Sequence, residues 1–395
     1  MKERKKGKLK IHSIIVKFLL IFFLFGSLLV MVTVSIQKDL AASVTEQLTA
    51  EQGSASIEDI DRNTRNSALN SSLAVGVIIL YTFFALFLFV AKWNRSLRRM
   101  ESYLQDIGDG TFPEKPLKIS GGDELSEMAD VINEMTLSLK EKERLRGELE
   151  LARNIQAGML PGEEAARGLP ESCRVDAFMN PAREVGGDLY DFFMIDEDHL
   201  GLVIADVSDK GAPAALFMAT AKMCIRDNMM LGMPPAQVLY LVNNRLLENN
   251  KAGLFVTAWI GVIDLRSGHM VYAMAGHPFP FVRYSAGEGY EELRSSRNLV
   301  LAGLPDFEFL QAETDLMPGS RIFMYTDGLD EARDVNDVFF GKERVKELLD
   351  AHSAADVAEI VAGMKSAVDA FTAGREQYDD LTMLMVEYKG GSANE

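Results

Sequence analysis

The chain has 395 residues, of which 48% are hydrophobic, and its formal net charge is −17. This length exceeds what one hydrophobic core usually organises, so more than one structural unit is expected. The negative charge excludes nucleic acid as the main partner, because binding a phosphate backbone requires clustered Lys and Arg. The two cysteines, Cys173 and Cys224, form no CxxC spacing and therefore indicate neither a disulfide framework nor a structural zinc site.

Two long uncharged runs near the N-terminus predict membrane-spanning helices. They cover residues 18–36 and 67–91, and each reaches the roughly 20 residues that a helix needs to cross about 30 Å of hydrocarbon. Lys and Arg cluster before the first run and after the second, which by the positive-inside rule places both flanks in the cytoplasm. A cleaved signal peptide is the alternative for the first run. We expect a multi-pass protein of a bacterial inner (cytoplasmic) membrane. Its basic cytoplasmic N-terminus would be 1–13, its two spans 14–36 and 71–91, and the short extracytoplasmic segment between them 37–70.

A helix, a Pro-containing connector and a second helix are predicted after the second apolar run. Apolar residues of the second helix recur with the 3,4 spacing of a coiled-coil seam, at Leu125, Met128, Ile132, Met135 and Leu139. The spacing returns in residues 145–159 after a break in phase, and Pro161 ends it. The segment resembles a HAMP domain, a dimeric four-helix relay, which we place at 92–145 with a helical linker at 146–165. The resemblance implies a homodimer formed through these helices.

Residues 121–125 read Gly-Gly-Asp-Glu-Leu, which is similar to the GGDEF signature of diguanylate cyclases. The stretch begins about thirty residues after the second apolar run, which leaves no room for the nucleotide-binding half of that domain. We therefore interpret it as the N-cap and acidic first turn of the second relay helix.

Further along the chain, short apolar runs predict strands, and carboxylates stand at the ends of four of them. Their positions are Asp188, Asp206, Asp327 and the pair Asp379 and Asp380. A single Asp at a strand end is more often a turn residue. Four such positions indicate a metal site, because Mg²⁺ and Mn²⁺ select oxygen ligands and two ions about 3.5–4 Å apart can clamp a phosphoryl group. The chain has no HExxH zinc motif, P-loop, nucleophile elbow or Cys-x5-Arg signature.

Several short motifs along the C-terminal region are typical of one family. In chain order they read LARNIQ with LP, EVGGDLYD, ADVSDKG, AGHP, YTDGL with EA, and DDLT. The region from about 151 to 389 resembles the SpoIIE/RsbU-like branch of the PPM metal-dependent serine/threonine phosphatases. The resemblance implies an α/β (α+β) fold, a four-layer α-β-β-α sandwich phosphatase domain at 166–391, preceded by the transmembrane helical hairpin and the HAMP/coiled-coil relay.

The resemblance also implies a catalytic site with two ions, Mn²⁺ or Mg²⁺. Asp206 is expected to bridge both ions, and the Val207 carbonyl to add a ligand to one of them. Asp327 and Asp379 are expected to complete the shell of the other ion. Asp188 is expected to hold its metal directly or through water.

The roles of several residues around this site remain open at the level of sequence. Asp379 is favoured over Asp380 as the metal ligand, which leaves Asp380 as a supporting or capping group. Arg183 matches an arginine that grips substrate phosphate in relatives, and a surface Arg beside the site is the alternative. Asp209 stands where the family turn most often has Gly, and we predict that the turn is kept, because Asp tolerates left-handed backbone better than most residues. His277 is expected to support a turn.

The helix predicted at 212–231 is rich in methionine, and its methionines are expected to fill the core. They are Met218, Met223, Met229 and Met230.

The function implied by the resemblance is that of a membrane-anchored protein serine/threonine phosphatase with its catalytic domain in the cytoplasm. It would hydrolyse phosphoserine or phosphothreonine with a metal-bridged hydroxide. The expected substrate is a phosphorylated anti-anti-sigma (STAS) protein in partner-switching signalling. The alternative is a non-enzymatic membrane receptor or scaffold that uses the phosphatase fold to bind a partner.

Overall fold

The structure is a computed structural model that describes residues 2–49, 55–120, 124–248 and 250–390. It divides into two compact units, with the division between Lys142 and Glu143. The N-cap predicted at 121–123 lies outside the described residues, whereas the acidic first turn that follows is present, with Glu124 and Glu127.

The described part of the N-terminal unit is helical except for a connector at 109–120. Its helices are α1 (Lys2–Thr49), α2 (Ala55–Gly108) and the first part of α3 (Glu124–Met159). Within α1 and α2, the segments Phe22–Glu46 and Ala68–Gly108 are long and apolar enough to cross a membrane. Both helices also continue into the segment predicted to be extracytoplasmic.

A small apolar core joins the connector after α2 to its flanking helices. Its buried residues are Met100, Leu117, Leu125, Ala129 and Ile132. Asn133 fixes the connector, because its side chain donates to the Leu117 carbonyl (3.0 Å) and accepts from the Leu117 amide (2.7 Å). Of the predicted seam residues, Leu125 and Ile132 are therefore used within the chain, and the other three are exposed.

The C-terminal unit contains two antiparallel sheets of five strands each. The strands are β1 (Cys173–Asn180), β2 (Leu189–Met194), β3 (His199–Val207), β4 (Val256–Asp264), β5 (His269–Ala275), β6 (Phe281–Arg283), β7 (Glu291–Glu292), β8 (Gln311–Asp315), β9 (Ser320–Tyr325) and β10 (Leu381–Tyr388). The strand order is β1-β10-β9-β6-β7 in sheet A and β2-β3-β4-β5-β8 in sheet B.

Helices cover the outer face of each sheet. The helices of this unit, after the end of α3, are α4 (Glu163–Arg167), α5 (Ala212–Met230), α6 (Pro235–Leu247), α7 (Asp327–Asp330), α8 (Lys342–Ala351) and α9 (Val357–Thr372). One core lies between sheet B and the pair α5 and α6, and another between sheet A and the pair α8 and α9. A third core lies between the two sheets. The predicted four-layer α-β-β-α sandwich is confirmed.

The strands can serve two cores because successive side chains of a strand point to opposite faces of its sheet. In β2, Leu189 and Phe193 pack against the helices, whereas Tyr190 and Phe192 pack against sheet A. Strands buried on both faces read as continuous apolar runs rather than as alternating ones.

One charged residue of β2, Asp191, is buried beneath α5. Only 1% of it is exposed, and its carboxylate lies 2.5 Å from Lys222 Nζ and 3.0 Å from Arg226 Nη1. The guanidinium also lies over the Phe193 ring, 4.3 Å from the ring centre. These contacts fix one face of α5 to β2.

We expect Asp191→Ala to lower the free energy of unfolding by about 3–5 kcal/mol, because it leaves a buried ammonium group without its partner. Urea unfolding of the full chain in detergent would measure the loss. The double variant Asp191→Leu with Lys222→Met is the control, since it replaces the pair by apolar groups and should recover most of the stability. Equal losses in both variants would contradict this account.

The expectation for the methionines of α5 is wrong at two positions. Met218 and Met229 are fully buried, but Met223 and Met230 are 64% and 46% exposed. Residues 218 and 229 share the helix face toward sheet B, and residues 223 and 230, one heptad apart, share the opposite side.

Candidate active site

The predicted carboxylates lie at one end of the two sheets. Asp188 directly precedes β2 and Asp206 is the last residue but one of β3. Leu189 pairs with Ala205 across these strands, so the two aspartates occupy the next position outward. Their carboxyl groups are close enough for each to affect the pKa of the other.

Two hydroxyl groups from sheet A hold Asp188 from the other side. Thr326, at the end of β9, donates to Asp188 Oδ2 over 2.7 Å, and Thr382, in β10, donates to the same oxygen over 2.6 Å. Asp327 follows Thr326 and begins α7, and Asp379 stands two residues before β10. The structure therefore brings carboxylates from both sheets to one place.

Burial and mutual repulsion make these carboxyl groups hard to ionise. Burial first, and then the nearby Asp327, raise the pKa of Asp206 to about 8. Burial, Asp206 and Asp380 together hold the pKa of Asp188 well above its usual range. The pKa of Asp327 is raised to about 6, by burial first and then by Asp379. A bound cation would favour the ionised forms of all of them.

The adjacent residues Asp379 and Asp380 have different partners. Asp380 is buried and accepts hydrogen bonds from the backbone amides of Ala182 (2.7 Å) and Gly187 (2.6 Å). Asp379 Oδ2 lies 3.0 Å from Lys210 Nζ in a partly exposed ion pair. Asp380 therefore organises the loop before β2, and Asp379 keeps its carboxylate on the open side of the site.

Glycines allow the loop before β2 to lie this close to its neighbours. A Cβ on Gly187 would stand 2.7 Å from the Val207 carbonyl oxygen, and a Cβ on Gly186 would overlap the Asp380 carboxylate. On the other side of the site, Asp209 has a φ of 72°, in the left-handed region. The prediction that Asp209 keeps the glycine-type turn is confirmed.

His277 supports the site from behind. It is buried, and its Nδ1 lies 2.8 Å from Thr257 Oγ1, whose hydroxyl is 3.5 Å from the Asp206 carbonyl oxygen. Burial lowers its pKa to about 3, so the ring is neutral at physiological pH. The preceding Gly276 has a φ of 66°, in agreement with the predicted turn.

A cleft of about 910 Å³ opens beside the carboxylates. Arg183, Lys210 and Asp379 are among the residues that line it. Arg333 lines it as well, and its guanidinium is 4.7 Å from the ring centre of Phe339. The cleft thus presents several cations next to the acidic cluster.

The donor set fits a hard divalent cation in its chemistry. All the converging side chains are carboxylates or hydroxyls, which are oxygen ligands. The ammonium group of Lys210 neutralises the charge of only one carboxylate, that of Asp379. Within the described part of the chain, no three His, Cys, Asp or Glu side chains are grouped closely enough to enclose an ion on their own.

The sequence did not assign roles to Lys210, Thr326, Thr382 or Arg333. The first three lie within motifs that carried the family resemblance, and Arg333 follows one of them directly. Threonine, lysine and arginine are common beside strand ends. Such a residue indicates a site only when the side chains around it in the folded structure are known.

Comparison with solved structures places this unit among the PP2C phosphatase folds. The SiaA-PP2C domain of Pseudomonas aeruginosa superposes with a TM-score of 0.55 and 23% identity, over 63% of this chain and 98% of that domain. The PP2C phosphatase domain of SpoIIE from Bacillus subtilis superposes with a TM-score of 0.50 and 18% identity, over 56% of this chain and 64% of that one. At these identities the structures establish the fold alone.

Residues 196–389 match the family model described as Stage II sporulation protein E (SpoIIE), and residues 88–141 match the HAMP domain. The chain therefore carries a SpoIIE-type PP2C phosphatase domain with a HAMP domain before it. The phosphoserine phosphatase RsbU of Bacillus subtilis (strain 168) is 28% identical over 254 residues, which cover 63% of this chain and 72% of RsbU. Protein IcfG of Synechocystis sp. is 33% identical over 270 residues, which cover 61% of this chain and only 41% of IcfG.

Proposed function

We propose that the chain is a membrane-anchored, metal-dependent protein serine/threonine phosphatase. The observation that carries the proposal is the convergence of Asp188 and Asp206 from sheet B with Asp327 and Asp379 from sheet A. Buried like charges are costly unless a cation offsets them. The phosphoserine phosphatase RsbU, which shares this domain, supports the same reaction class.

The residues that would hold two ions, Mn²⁺ or Mg²⁺, are carboxylates of this cluster and one backbone carbonyl. Asp206 would be shared by both ions, and the Val207 carbonyl would add a ligand to one of them. Asp327 and Asp379 would complete the shell of the other ion, and Asp188 would hold its metal directly or through water. The ions, when bound, supply Lewis-acid stabilisation of charge on the phosphoryl group and activation of water. Asp380, saturated by backbone amides, would support the loop instead of binding metal.

The protein side chains orient the phosphoryl group and keep the carboxylates in place. Thr326 and Thr382 fix the Asp188 carboxylate through their hydroxyls. Arg183 lies on the wall of the cleft, where a guanidinium can bind phosphate through two parallel hydrogen bonds. The cleft is open enough to admit a phosphorylated segment of another protein.

The helices before the phosphatase domain support a membrane location and a homodimer. The apolar segments of α1 and α2, together with the HAMP domain, support membrane anchoring with the catalytic domain in the cytoplasm. The exposed seam residues Met128, Met135 and Leu139 support a homodimer through the relay helices, because a second helix would cover them. By family resemblance, the substrate is a phosphorylated anti-anti-sigma (STAS) protein.

The proposal predicts that the full chain, purified in detergent, releases phosphate from a phosphoserine peptide in Mn²⁺. Chelation with EDTA should reduce the rate to background, and added Mn²⁺ should restore it. A phosphotyrosine peptide of the same sequence is the control for substrate class. Tight binding of the phosphoserine peptide without any release of phosphate would instead favour the non-enzymatic scaffold.

A further inference from the structure

An arginine on the wall of the cleft lacks a partner for its charge among the described residues. Arg333 lines the cleft together with Lys210 and Arg375. Lys210 forms an ion pair with Asp379 over 3.0 Å. Arg375 forms one with Asp337 over 2.7 Å. By contrast, Arg333 forms no ion pair within the part of the chain that the structure describes, and its buried Nε donates to no acceptor there. Because buried donors are nearly always paired, this guanidinium is a candidate for binding an anion.

Two aromatic rings hold the guanidinium of Arg333. Its Cζ is 4.7 Å from the ring centre of Phe339 and 5.3 Å from that of Tyr378. Contact with the faces of rings fixes a planar guanidinium while its N–H groups stay available as donors. Such a group is prepared to bind a carboxylate or a phosphate through two parallel hydrogen bonds.

The turn that carries Arg333 is itself held beside the cleft. Arg333 and Phe339 pair as an antiparallel bridge. Within the turn, the Asp334 carboxylate accepts from the Val338 amide over 2.9 Å. Arg375 fixes the turn from outside, because it donates to the Asp334 carbonyl over 2.6 Å. The guanidinium is therefore ordered in the free chain, and little conformational entropy remains to be lost when it binds a ligand.

Tyr378 connects Arg333 to the acidic cluster. Its ring centre lies 4.2 Å from Lys210 Nζ and 5.3 Å from Arg333 Cζ. Lys210 in turn contacts Asp379, one of the carboxylates at the site. An extended chain advances about 3.3 Å per residue, so the two distances together correspond to about three residues. A substrate segment with its phosphoserine at the carboxylates can therefore present a neighbouring side chain to Arg333.

We propose that Arg333 is a specificity-determining residue that binds an acidic side chain of the substrate within about three residues of the phosphoserine. The inference rests on the proposed function, because it concerns the substrate of the same cleft. The ligand is a flanking carboxylate and not the phosphoryl group itself. Among the described residues it is Lys210, not Arg333, that contacts a carboxylate of the acidic cluster.

Turnover of matched phosphoserine peptides by the full chain, in detergent and Mn²⁺, tests the proposal. One peptide has Glu residues just before the phosphoserine, one has them just after it, and the third has Gln at all of these positions. We expect the better Glu peptide to have a kcat/KM about tenfold higher than the Gln peptide, mainly through a lower KM, which is the size of one hydrogen bond between charged groups. Arg333→Gln should bring this ratio close to one.

Arg297 offers a matched control in the same unit. Its guanidinium also lies over an aromatic ring, 5.7 Å from the ring centre of Phe279, but Arg297 is exposed and is not among the residues that line the cleft. Arg297→Gln removes the same charge and should keep the preference for the Glu peptide. Equal losses of preference in Arg297→Gln and Arg333→Gln would overturn the proposal, because net charge alone would then explain the preference.

Arg333→Glu is a second variant, whose expected result is a reversed preference. A peptide with Lys at the same positions should be turned over faster than the Glu peptide, and this ratio does not depend on how much of the variant folds. A ratio near one for the unaltered chain, or the same ratio in the unaltered chain and both Arg333 variants, would overturn the inference alone. Failure of the unaltered chain to release phosphate from any of the peptides would overturn the proposed function as well.

Discussion

Asp206→Asn is expected to reduce Mn²⁺-dependent phosphate release by at least 10²–10³-fold, the scale seen when one group that stabilises transition-state charge is removed. Asp206 lies near the end of β3, close to Asp188 and Asp327. The same substitution should make the metal-free protein more stable, because it removes a charge that burial and Asp327 oppose. Loss of activity together with a gain in stability distinguishes a ligand from a structural residue.

The measurements are turnover of a phosphoserine peptide and urea unfolding after EDTA treatment, both on the full chain in detergent. Asp196→Asn is the control, since Asp196 stands in the turn at the opposite end of the β2–β3 hairpin and caps the amides of Asp198 and His199. It should leave turnover unchanged. If Asp206→Asn retained more than a tenth of the turnover, the assignment of Asp206 as a ligand would be wrong.

The metal-free protein is expected to become more stable as the pH falls from 8 to 6.5. The pKa of Asp206 is about 8 in the folded chain and near 3.9 in an unfolded one, so the folded state binds more protons in this range. Stability therefore rises as protons are added, by about 1–2 kcal/mol over the interval for one proton. His277 acts in the opposite direction as the pH falls through about 6.5, because its folded pKa of about 3 means that only the unfolded state takes up its proton.

Thermal unfolding of the EDTA-treated full chain at pH 8 and pH 6.5 would measure this dependence. Asp206→Asn should reduce it, because the pKa of Asp206 lies in that window. Saturating Mn²⁺ should reverse the direction, since protons compete with the ions for the same oxygens. A melting temperature that is equal at the two pH values in the metal-free chain would contradict the account of the acidic cluster.

Local patterns predicted apolar spans, strands and the carboxylates that stand at the ends of strands. Strands, turns and apolar spans depend on the spacing of side chains along the chain, and the four carboxylate positions each stand at a strand end that such spacing reveals. Local pattern also predicted the backbone at Asp209, because the left-handed conformation of this residue belongs to the turn formed with its sequence neighbours.

Contacts between distant segments decided the rest. Spacing alone could not separate Asp379 from Asp380, because which of two adjacent side chains meets the loop at Ala182 and Gly187 depends on how that loop folds back on β10. In the same way, Met223 was expected in the core and is exposed, since only the docking of α5 on sheet B determines which face is covered.

The sequence by itself therefore indicated the carboxylates worth testing, because strand ends are a property of local pattern, and its motifs implied the class of fold through their resemblance to a known family. Only the tertiary structure decided which groups surround those carboxylates: the hydroxyls of Thr326 and Thr382 donate to Asp188, and the amide of Gln156 donates to the backbone of Gly186 nearby. Hydrogen bonds between segments 30 to 194 residues apart leave no periodic trace in a sequence, since their geometry exists only once both sheets are in place.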